Sequence, residues 1–300
     1  MNSQIDRAAQ SLAKGELVIF PTETVYGLGA NGLDTSAVEK IYKAKQRPVA
    51  NPVILHISNR EQLHNIVANV SDIEEKLIKA FWPGPLTIIF KKTDLVPDLV
   101  TAGSDTVAVR MPNNKIALSI IEKLNKPVAA PSANISGMPS PTNHSHISDQ
   151  LKKCVDLIVE GGQCKHGVES TVVRILNNKV FILRPGAITP LMIKNALPNI
   201  HVQHKESKTK NKSLQIESPG TAFKHYSPQT NLTLVPRNRL ESELLGHINE
   251  NPKKRIACIG STERLEFIKE DHQVETISLG SEANLNTIAA NLFSAFHKLD

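Results

Sequence analysis

A lysine and an arginine two residues apart, Lys45 and Arg47, stand where a predicted helix ends and Pro48 follows. Cations interact favourably with the carboxyl end of a helix, so one interpretation is ordinary surface charge. The other interpretation is that both side chains face a phosphate or a carboxylate, which a guanidinium binds through two donors at once. For this pair alone, ordinary helix-end charge is the commoner case.

Further polar side chains fall at the ends of predicted strands or just beyond them. They are Thr22, Thr24, Asn51, His56, Thr106, Arg110, Ser132, Asn134, Ser170 and Arg184. Strand ends in α/β proteins commonly converge on one ligand cleft, so we expect these groups to share a cleft. A lone histidine such as His56 is more often an ordinary core residue. Arg110 follows a buried strand, where a charge either reaches solvent or meets an anion.

Several familiar kinds of site are missing from the sequence. The phosphate-binding motif Gly-x-x-x-x-Gly-Lys-Ser/Thr does not occur, so a nucleotide would have to bind in an unconventional pocket. The motifs Gly-x-Ser-x-Gly and His-Glu-x-x-His are also missing, which disfavours a nucleophile triad and a zinc site. The run of small residues AAPSANISG (129–137) either brings backbone N–H groups close to a ligand or forms a tight turn. Three widely spaced cysteines, Cys154, Cys164 and Cys258, predict reduced thiols, with Cys164 an incidental loop thiol.

Composition indicates a globular protein with anionic partners. The 300 residues are 40% hydrophobic, and 35 Lys and Arg against 29 Asp and Glu give a formal net charge of +6. The densest basic run, KESKTKNK (205–212), has no aromatic residues and is typical of a linker. No apolar run approaches the roughly 20 residues that cross a bilayer, and the N-terminus lacks a secretory pattern. We therefore expect a cytoplasmic protein that does not contact membranes.

The first two thirds of the chain alternate between helical and strand-like patterns, which predicts an α/β domain with a mixed sheet. Predicted helices cover 5–13, 36–45, 73–81, 115–124, 147–155 and 189–196. Predicted strands cover 16–20, 52–57, 86–90, 106–111, 127–130, 170–176 and 179–184. The polar segment PTETVYGLGAN (21–31) follows the first strand and is predicted to be a ligand-binding loop.

The last third predicts a linker and a second, smaller domain. Residues 199–218 have few large apolar side chains and no periodicity, which is typical of a linker. Beyond it come predicted strands 231–235, 255–260 and 274–279 and predicted helices 240–249, 261–268 and 285–299. Their alternation predicts a small parallel sheet.

Eight segments occur in an order that resembles the YrdC/Sua5 family in its two-domain form. They are PTETVYGLGAN, KAKQRP, NPVILHI, FWPGPLTIIF, VAVRMP, APSANISG, GVESTVV and ILRPGAI. The resemblance spans about residues 5–195, and PGTAFKHYSP (219–228) is similar to the family's connector. It implies a YrdC-like twisted mixed sheet with a concave basic cleft in 1–198, a linker or lid in 199–230, and a small Rossmann-like domain in 231–300. The family's domain usually continues further, so an abbreviated small domain is expected.

The resemblance also implies a reaction. L-Threonine, bicarbonate or CO2, and ATP would give threonylcarbamoyl-AMP and pyrophosphate, with Mg²⁺ held by the ATP phosphates and no protein metal site. The product would pass to downstream tRNA threonylcarbamoyl transferase machinery that forms N6-threonylcarbamoyladenosine at position 37 of tRNA. Weak binding of tRNA itself is a further expectation.

The family's site residues carry over to matching positions in this sequence. The expected threonine site comprises Thr24, His56, Arg110, the backbone at Ala130, and Ser170. The expected ATP site comprises Arg47, Asn51, Thr106, Ser132, Ser140, Arg184 and Tyr226. The expected catalytic residues are Lys45, Arg47, Ser132 and Asn134.

Individual roles within these sets are hypotheses. Arg110 is expected to pair with the threonine carboxylate, and Thr24 or Ser170 to contact the hydroxyl or amine of threonine. Gly27 and Gly29 are expected to let the backbone pass close to a ligand. Tyr226 is expected to close over the nucleotide as part of a lid.

Two alternatives remain open at this point. A non-catalytic module that binds double-stranded RNA or tRNA would use the same basic concave surface, and its affinity should fall steeply with salt. Carbamoyl-adenylate chemistry of the hydrogenase-maturation type shares the fold. That relative needs carbamoyl phosphate together with zinc-finger and acylphosphatase modules, neither of which this sequence shows.

Overall fold

The structure is a computed structural model that describes residues 2–204, 226–250, 253–266, 268 and 274–300. Its helices are α1 (Asn2–Ala13), α2 (Thr35–Lys45), α3 (Arg60–Ile66), α4 (Asp72–Phe81), α5 (Asp98–Thr101), α6 (Lys115–Leu124), α7 (Asp149–Lys152), α8 (Pro190–Ala196), α9 (Leu240–Glu250), α10 (Thr262–Leu265) and α11 (Leu285–Leu299). Its strands are β1 (Val18–Phe20), β2 (Gly27–Asn31), β3 (Leu55–His56), β4 (Leu86–Lys91), β5 (Thr106–Arg110), β6 (Val128–Ala129), β7 (Leu157–Ile158), β8 (Thr171–Leu176), β9 (Lys179–Arg184), β10 (His201–His204), β11 (Ile256–Gly260) and β12 (Val274–Ser278).

Ten strands form one mixed sheet in the order β10-β9-β8-β4-β5-β3-β6-β2-β1-β7. Short strands β3 and β5 run parallel and pair His56 with Arg110, which brings two expected site residues side by side. Helices α1 and α6 pack together over Phe20 and Val128 on one part of the sheet. A larger apolar cluster that includes Ile41 surrounds the rest of the sheet. The mixed α/β domain predicted from the sequence is confirmed.

Local capping residues fix where α2 begins and ends. The Asp34 side chain accepts hydrogen bonds from the backbone N–H groups of Ser36 and Ala37, which satisfies donors that the first helical turn leaves free. At the other end Gln46 adopts a left-handed conformation with φ of 52°, which stops the helix. The chain therefore turns immediately after Lys45 and places Arg47 outside the helix.

The segment PTETVYGLGAN is a loop only in its first half, because Gly27–Asn31 is the buried strand β2, paired antiparallel with β1. A Cβ at Gly29 would lie 2.5 Å from Phe20 Cε1 and 3.0 Å from Val128 Cγ1. Glycine at this position therefore serves close core packing, and the prediction that Gly29 admits a ligand is wrong. Gly27 does line the cavity described below.

Other differences from the sequence predictions concern short or polar elements. The predicted linker begins with β10, which pairs parallel with β9 at the sheet edge, and no strand forms at 231–235. The predicted helix 147–155 shortens to the single turn of α7, and α3, α5 and β7 were not predicted. The basic run 205–212 and most of the connector PGTAFKHYSP lie outside the described residues.

The C-terminal part contains the predicted small parallel sheet, formed by β11 and β12. Helix α11 packs on it through a cluster that includes Ile277, Leu279 and Ala295. The same helix contacts the larger sheet's domain, because the rings of His146 and His297 stack with centroids 4.5 Å apart. Within the described ranges, no helix combines the length and the apolar character needed to cross a bilayer.

Candidate active site

A cavity of about 690 Å³, counting the open space at its mouth, lies where the end of α2, the loop before β2, strand β3 and strand β5 meet. Eleven of the predicted site residues line it: Thr24, Lys45, Arg47, His56, Arg110, Ala130, Ser132, Asn134, Ser170, Arg184 and Tyr226. The expected convergence of strand ends therefore occurs. Four of these side chains are basic: Lys45 ends α2, Arg47 lies just beyond it, and Arg110 and Arg184 end β5 and β9.

Lys45 is only 1% exposed and points from the last turn of α2 toward the loop that follows β6. Its Nζ donates hydrogen bonds to the carbonyl oxygens of Ser132 and Asn134. Burial holds the pKa of Lys45 well below its usual range, and the positive charge of Arg47 lowers the pKa further. The amine thus tethers the two loop carbonyls and loses its proton more readily than an exposed lysine.

Arg47 is held by backbone carbonyls. Its Nε donates to Asn51 O at 3.0 Å and its Nη2 to Pro52 O at 2.6 Å. Burial lowers the pKa of Arg47 to about 10, so the guanidinium stays charged at neutral pH. Asn51 itself is buried outside the cavity, and its Oδ1 has no hydrogen-bond partner among the described residues.

Arg110 is engaged on three sides within the protein. Its Nη1 donates to Thr24 Oγ1 at 2.8 Å, and its Nε donates to Gly84 O at 3.2 Å. Its Nη2 lies 2.5 Å from Glu23 Oε1, although this close charge contact lacks hydrogen-bond alignment. A carboxylate of the protein thus already neutralises Arg110, which the expected pairing with the threonine carboxylate did not include.

His56 lies beside Arg110 with its Nδ1 buried and without a hydrogen-bond partner among the described residues. Burial, reinforced by the Arg110 charge, lowers the pKa of His56 to about 3. The imidazole is therefore neutral at physiological pH. Because His56 lines the cavity, a ligand there would meet a neutral ring.

Ser132 and Asn134 form a small network under Lys45. Ser132 Oγ donates to Asn134 Oδ1 at 2.5 Å, and Asn134 Nδ2 donates to Ile135 O and Met138 O at 2.8 Å each. This network fixes the loop after β6. In the segment AAPSANISG, Ser132 and Asn134 line the cavity and a turn forms at 136–137, and close approach of a ligand to its backbone N–H groups stays a prediction.

Arg184 crosses from β9 to the residue before β8. Its Nη2 donates to Ser170 O at 2.9 Å and to Ser170 Oγ at 3.1 Å. Ser170 Oγ is also 2.7 Å from Thr87 Oγ1, so the serine hydroxyl is fixed between two partners. One residue of the predicted threonine site, Ser170, is therefore hydrogen-bonded to one residue of the predicted ATP site, Arg184.

Two predicted ATP residues besides Asn51 lie outside the cavity. Thr106 begins β5, about 13 Å along the strand from Arg110 at roughly 3.3 Å per residue, and its hydroxyl is 2.9 Å from Ser104 Oγ. Ser140 is fully buried and donates its hydroxyl hydrogen bond to Glu169. Their direct contact with a nucleotide stays a prediction.

Comparisons with known proteins agree along the whole chain. The Sua5/YciO/YrdC profile, whose description reads "Telomere recombination", matches residues 10–186, and the profile "Threonylcarbamoyl-AMP synthase, C-terminal domain" matches residues 188–300. The chain belongs to the Sua5/YciO/YrdC family. The threonylcarbamoyl-AMP synthase of Pyrococcus abyssi (strain GE5 / Orsay) is 40% identical over 299 residues, which cover 98% of this chain and 84% of that protein.

Two further comparisons agree with this assignment. The threonylcarbamoyl-AMP synthase of Bacillus subtilis (strain 168) is 40% identical over 298 residues, covering 99% of this chain and 84% of the relative. The crystal structure of P. abyssi Sua5 complexed with L-threonine superposes with a TM-score of 0.87 at 38% identity, covering 100% of this chain and 86% of that one. The resemblance to the YrdC/Sua5 family seen in the sequence is confirmed.

Two acidic residues of this family member were not predicted as part of the site. Glu169 lines the cavity, and burial raises its pKa against the opposing effect of Arg184. Glu23 is 5% exposed beside Arg110. Both lie next to residues that the sequence analysis did select, Ser170 and Thr24. Adjacency was the one available signal, since nothing local shows that a carboxylate is buried.

Cys164 is buried beneath this site, and desolvation raises the pKa of its thiol to about 12. The prediction of an incidental loop thiol missed this burial. All three cysteines are free thiols, as expected. Among the described residues, no group of three or more His, Cys, Asp and Glu side chains could hold a metal ion.

Proposed function

We propose that this chain joins L-threonine, bicarbonate or CO2, and ATP into threonylcarbamoyl-AMP and pyrophosphate. The observation that carries the proposal is one cavity lined by Lys45, Arg47, Arg110 and Arg184. A carbamate must attack the α-phosphorus of a triphosphate in this reaction, so anions that repel one another have to be brought together. Fixed cations in a site shielded from water remove that repulsion without reorganising.

On the nucleotide side, Arg47 and Arg184 would bind the phosphates. Both guanidiniums are held by backbone carbonyls, so they are already oriented before a ligand arrives. Preorganised donors act on charge that develops at the transferring phosphorus, which is the main protein contribution to phosphoryl and nucleotidyl transfer. Lys45 would add its amine from the last turn of α2, and Tyr226 would cover the nucleotide.

On the amino-acid side, Thr24, Ser170 and His56 would recognise threonine. The Thr24 hydroxyl is oriented by Arg110 and the Ser170 hydroxyl by Arg184, so each can direct a lone pair or a proton at a fixed position. We propose that Arg110 acts mainly through Thr24, because Glu23 already balances its charge. The crystal structure of P. abyssi Sua5 is a complex with L-threonine, which supports an amino-acid site in this fold.

Carbamate formation releases a proton that the site must accept. Threonine ammonium and bicarbonate form an N–C bond, and the bicarbonate C–O bond breaks to release water. One proton is left over. The carbamate oxygen then bonds to the α-phosphorus while the bond to the bridging oxygen of pyrophosphate breaks. Glu169 is the carboxylate that lines the cavity, and its raised pKa makes it a better proton acceptor than an exposed glutamate.

Mg²⁺ fits the site as a companion of ATP. A hydrated Mg²⁺ is usually bound through substrate phosphates and one or two carboxylates, and Glu169 provides one carboxylate in the lining of the cavity. When bound, it supplies neutralisation of charge on the departing pyrophosphate.

The burial of the cations argues against the non-catalytic RNA-binding alternative. Arg47 and Arg184 are each 9% exposed and Lys45 is 1% exposed, so these charges are not available to the backbone of a duplex outside the cavity. Binding of double-stranded RNA relies on contacts across exposed grooves. We therefore propose that the chain releases its product to tRNA-modifying machinery in the cytoplasm and itself binds tRNA at most weakly.

The test is mass spectrometry of a reaction containing ATP, Mg²⁺, ¹³C-bicarbonate and threonine. The expected product is threonylcarbamoyl-AMP that carries one ¹³C, together with pyrophosphate, and serine in place of threonine should give much less product. Consumption of ATP without a labelled adenylate would contradict the proposal. Formation of an unlabelled carbamoyl-AMP, without threonine and only when carbamoyl phosphate is supplied, would instead support the hydrogenase-maturation chemistry.

A further inference from the structure

Helix α11 of the small domain reaches the mouth of the cavity through one aromatic side chain. Phe293 is 5% exposed, and its ring stacks on the ring of Tyr226 with centroids 5.3 Å apart and planes inclined by 29°. Tyr226 in turn lines the cavity together with Arg47 and Arg184. Phe293 of the small domain therefore contacts a residue that lines the cavity.

Tyr226 is held in an unusual backbone conformation. Its φ is 60°, a left-handed conformation that bulky residues adopt only when their surroundings impose it. The next residue anchors the chain, because Ser227 N donates to Gly137 O at 2.9 Å. The side chain has two contacts, because its ring stacks on that of Phe293 and it also hydrogen-bonds the Arg184 side chain.

Helix α11 is itself anchored to the wall of the cavity. A Cβ at Gly167, whose φ is +64°, would lie 2.2 Å from Ala290 O, so this glycine lets the helix approach the loop that leads to Glu169. His297 Nε2 lies 3.2 Å from Ser140 O, in the segment that follows the small-residue loop. The close approach at Gly167 and the His297 contact together fix the distance between α11 and the cavity wall.

The same helix end also holds the segment that follows Tyr226. Asp300 Oδ1 accepts hydrogen bonds from Gln229 N at 2.8 Å and Thr230 N at 3.0 Å, and Thr230 Oγ1 donates to Leu299 O at 2.8 Å. Helix α11 thus contacts Tyr226 through its ring and the following residues through their backbone. Both contacts would move together if the helix moved.

We propose that Phe293 is a positioning residue that holds the Tyr226 ring over the nucleotide, so that the small domain contributes to catalysis through this aromatic contact. The proposal rests on the proposed function in one respect, the assignment of Tyr226 to the nucleotide. Phe293 does not line the cavity and would act only through Tyr226.

The experiment is a double-mutant cycle on the full chain with Phe293→Ala, Tyr226→Ala and the double variant. The readouts are the Kd for ATP by calorimetry and the KM values for ATP and threonine. Loss of one aromatic stacking contact is expected to weaken ATP binding roughly threefold to tenfold. We expect Phe293→Ala to raise the KM for ATP with little change for threonine, and the double variant to be no worse than Tyr226→Ala.

Phe296→Ala is the matched control, because Phe296 lies on the same helix with its ring 6.3 Å from that of Phe293 and tilted by 48°. It should leave ATP affinity within about twofold of the wild type if only the Tyr226 stack matters. Circular dichroism and the fluorescence of Trp82 report folding. Should Phe293→Ala not fold, Phe293→Leu keeps most of the volume, lacks the ring face and should show the same selective effect on ATP.

Two results would overturn the proposal. Independent, additive losses in the double variant would show that Phe293 does not act through Tyr226. An unchanged ATP affinity in a folded Phe293 variant would do the same. If the wild type makes no threonylcarbamoyl-AMP, the proposed function fails, whereas the coupling between Phe293 and Tyr226 is still measured by ATP binding alone.

Discussion

The substitution Glu23→Gln tests how Arg110 is held at the site. The Arg110 and Glu23 side chains are 4% and 5% exposed, and their charged atoms approach to 2.5 Å. For charge centres about 4 Å apart at an effective dielectric constant of about 20, the attraction is about 4 kcal/mol. Removing one partner of a buried pair typically costs about 3–5 kcal/mol, because the remaining charge is uncompensated. We therefore expect Glu23→Gln to lower the free energy of unfolding by about 3 kcal/mol.

Urea unfolding followed by tryptophan fluorescence measures this loss. Trp82 is the single tryptophan of the chain and hydrogen-bonds Leu86 O at 2.7 Å at the start of β4, so it reports on the large domain. With an m-value of roughly 2–3 kcal/mol/M, the midpoint should fall by roughly 1–1.5 M. The KM for threonine should rise as well, because Arg110 orients Thr24.

Glu75→Gln is the control for the Glu23 experiment. Glu75 pairs with Arg60 on the surface, where their side chains are 51% and 39% exposed. An exposed pair contributes about 0–1 kcal/mol, so the urea midpoint should barely move. Equal midpoints for Glu23→Gln and the wild type would refute the reasoning, since they would mean that Arg110 does not depend on Glu23.

Burial and packing lead to three further predictions. Glu169→Gln should lower kcat by roughly 10²–10⁴ and remove the acid limb of the pH–rate profile, because only the deprotonated carboxylate accepts a proton. In the wild type this limb should lie at a higher pH than for an exposed carboxylate, since burial raises the pKa of Glu169. An unchanged profile in the variant would exclude Glu169 as the acceptor. Gly29→Ala should lower the free energy of unfolding of the large domain by about 1–3 kcal/mol, since its Cβ would lie 2.5 Å from Phe20 Cε1. A urea midpoint equal to that of the wild type would contradict this packing account. Cys164 should react with iodoacetamide at pH 8 at least about 100-fold more slowly than exposed Cys154, because burial raises its pKa to about 12; comparable labelling by mass spectrometry would show that the loop opens.

Where a local rule decides the structure, the sequence was sufficient. Helix α2 begins after its cap Asp34, and its apolar period stops before Pro48, so the placement of Lys45 and Arg47 at the helix end could be predicted. Arg110 and Arg184 end the apolar strands β5 and β9, which predicted their arrival at one edge.

Features that depend on tertiary partners could not be predicted. The polar strand β10 forms because β9 offers it an edge, and its own sequence has no alternating apolar pattern. Strand β2 contains two glycines, and the reason for them is visible only in the folded structure, where the Phe20 ring packs against both positions. The pairing of Glu23 with Arg110 and the stacking of Phe293 on Tyr226 join segments far apart in the chain.

Exchange of labelled pyrophosphate into ATP tests the central claim most directly, because it reports which anion attacks the α-phosphorus. The account predicts exchange only when threonine and bicarbonate are both present, since the carbamate made from them is the attacking group. Exchange with threonine alone, in buffers freed of CO2, would mean that the threonine carboxylate attacks, and it would contradict the account.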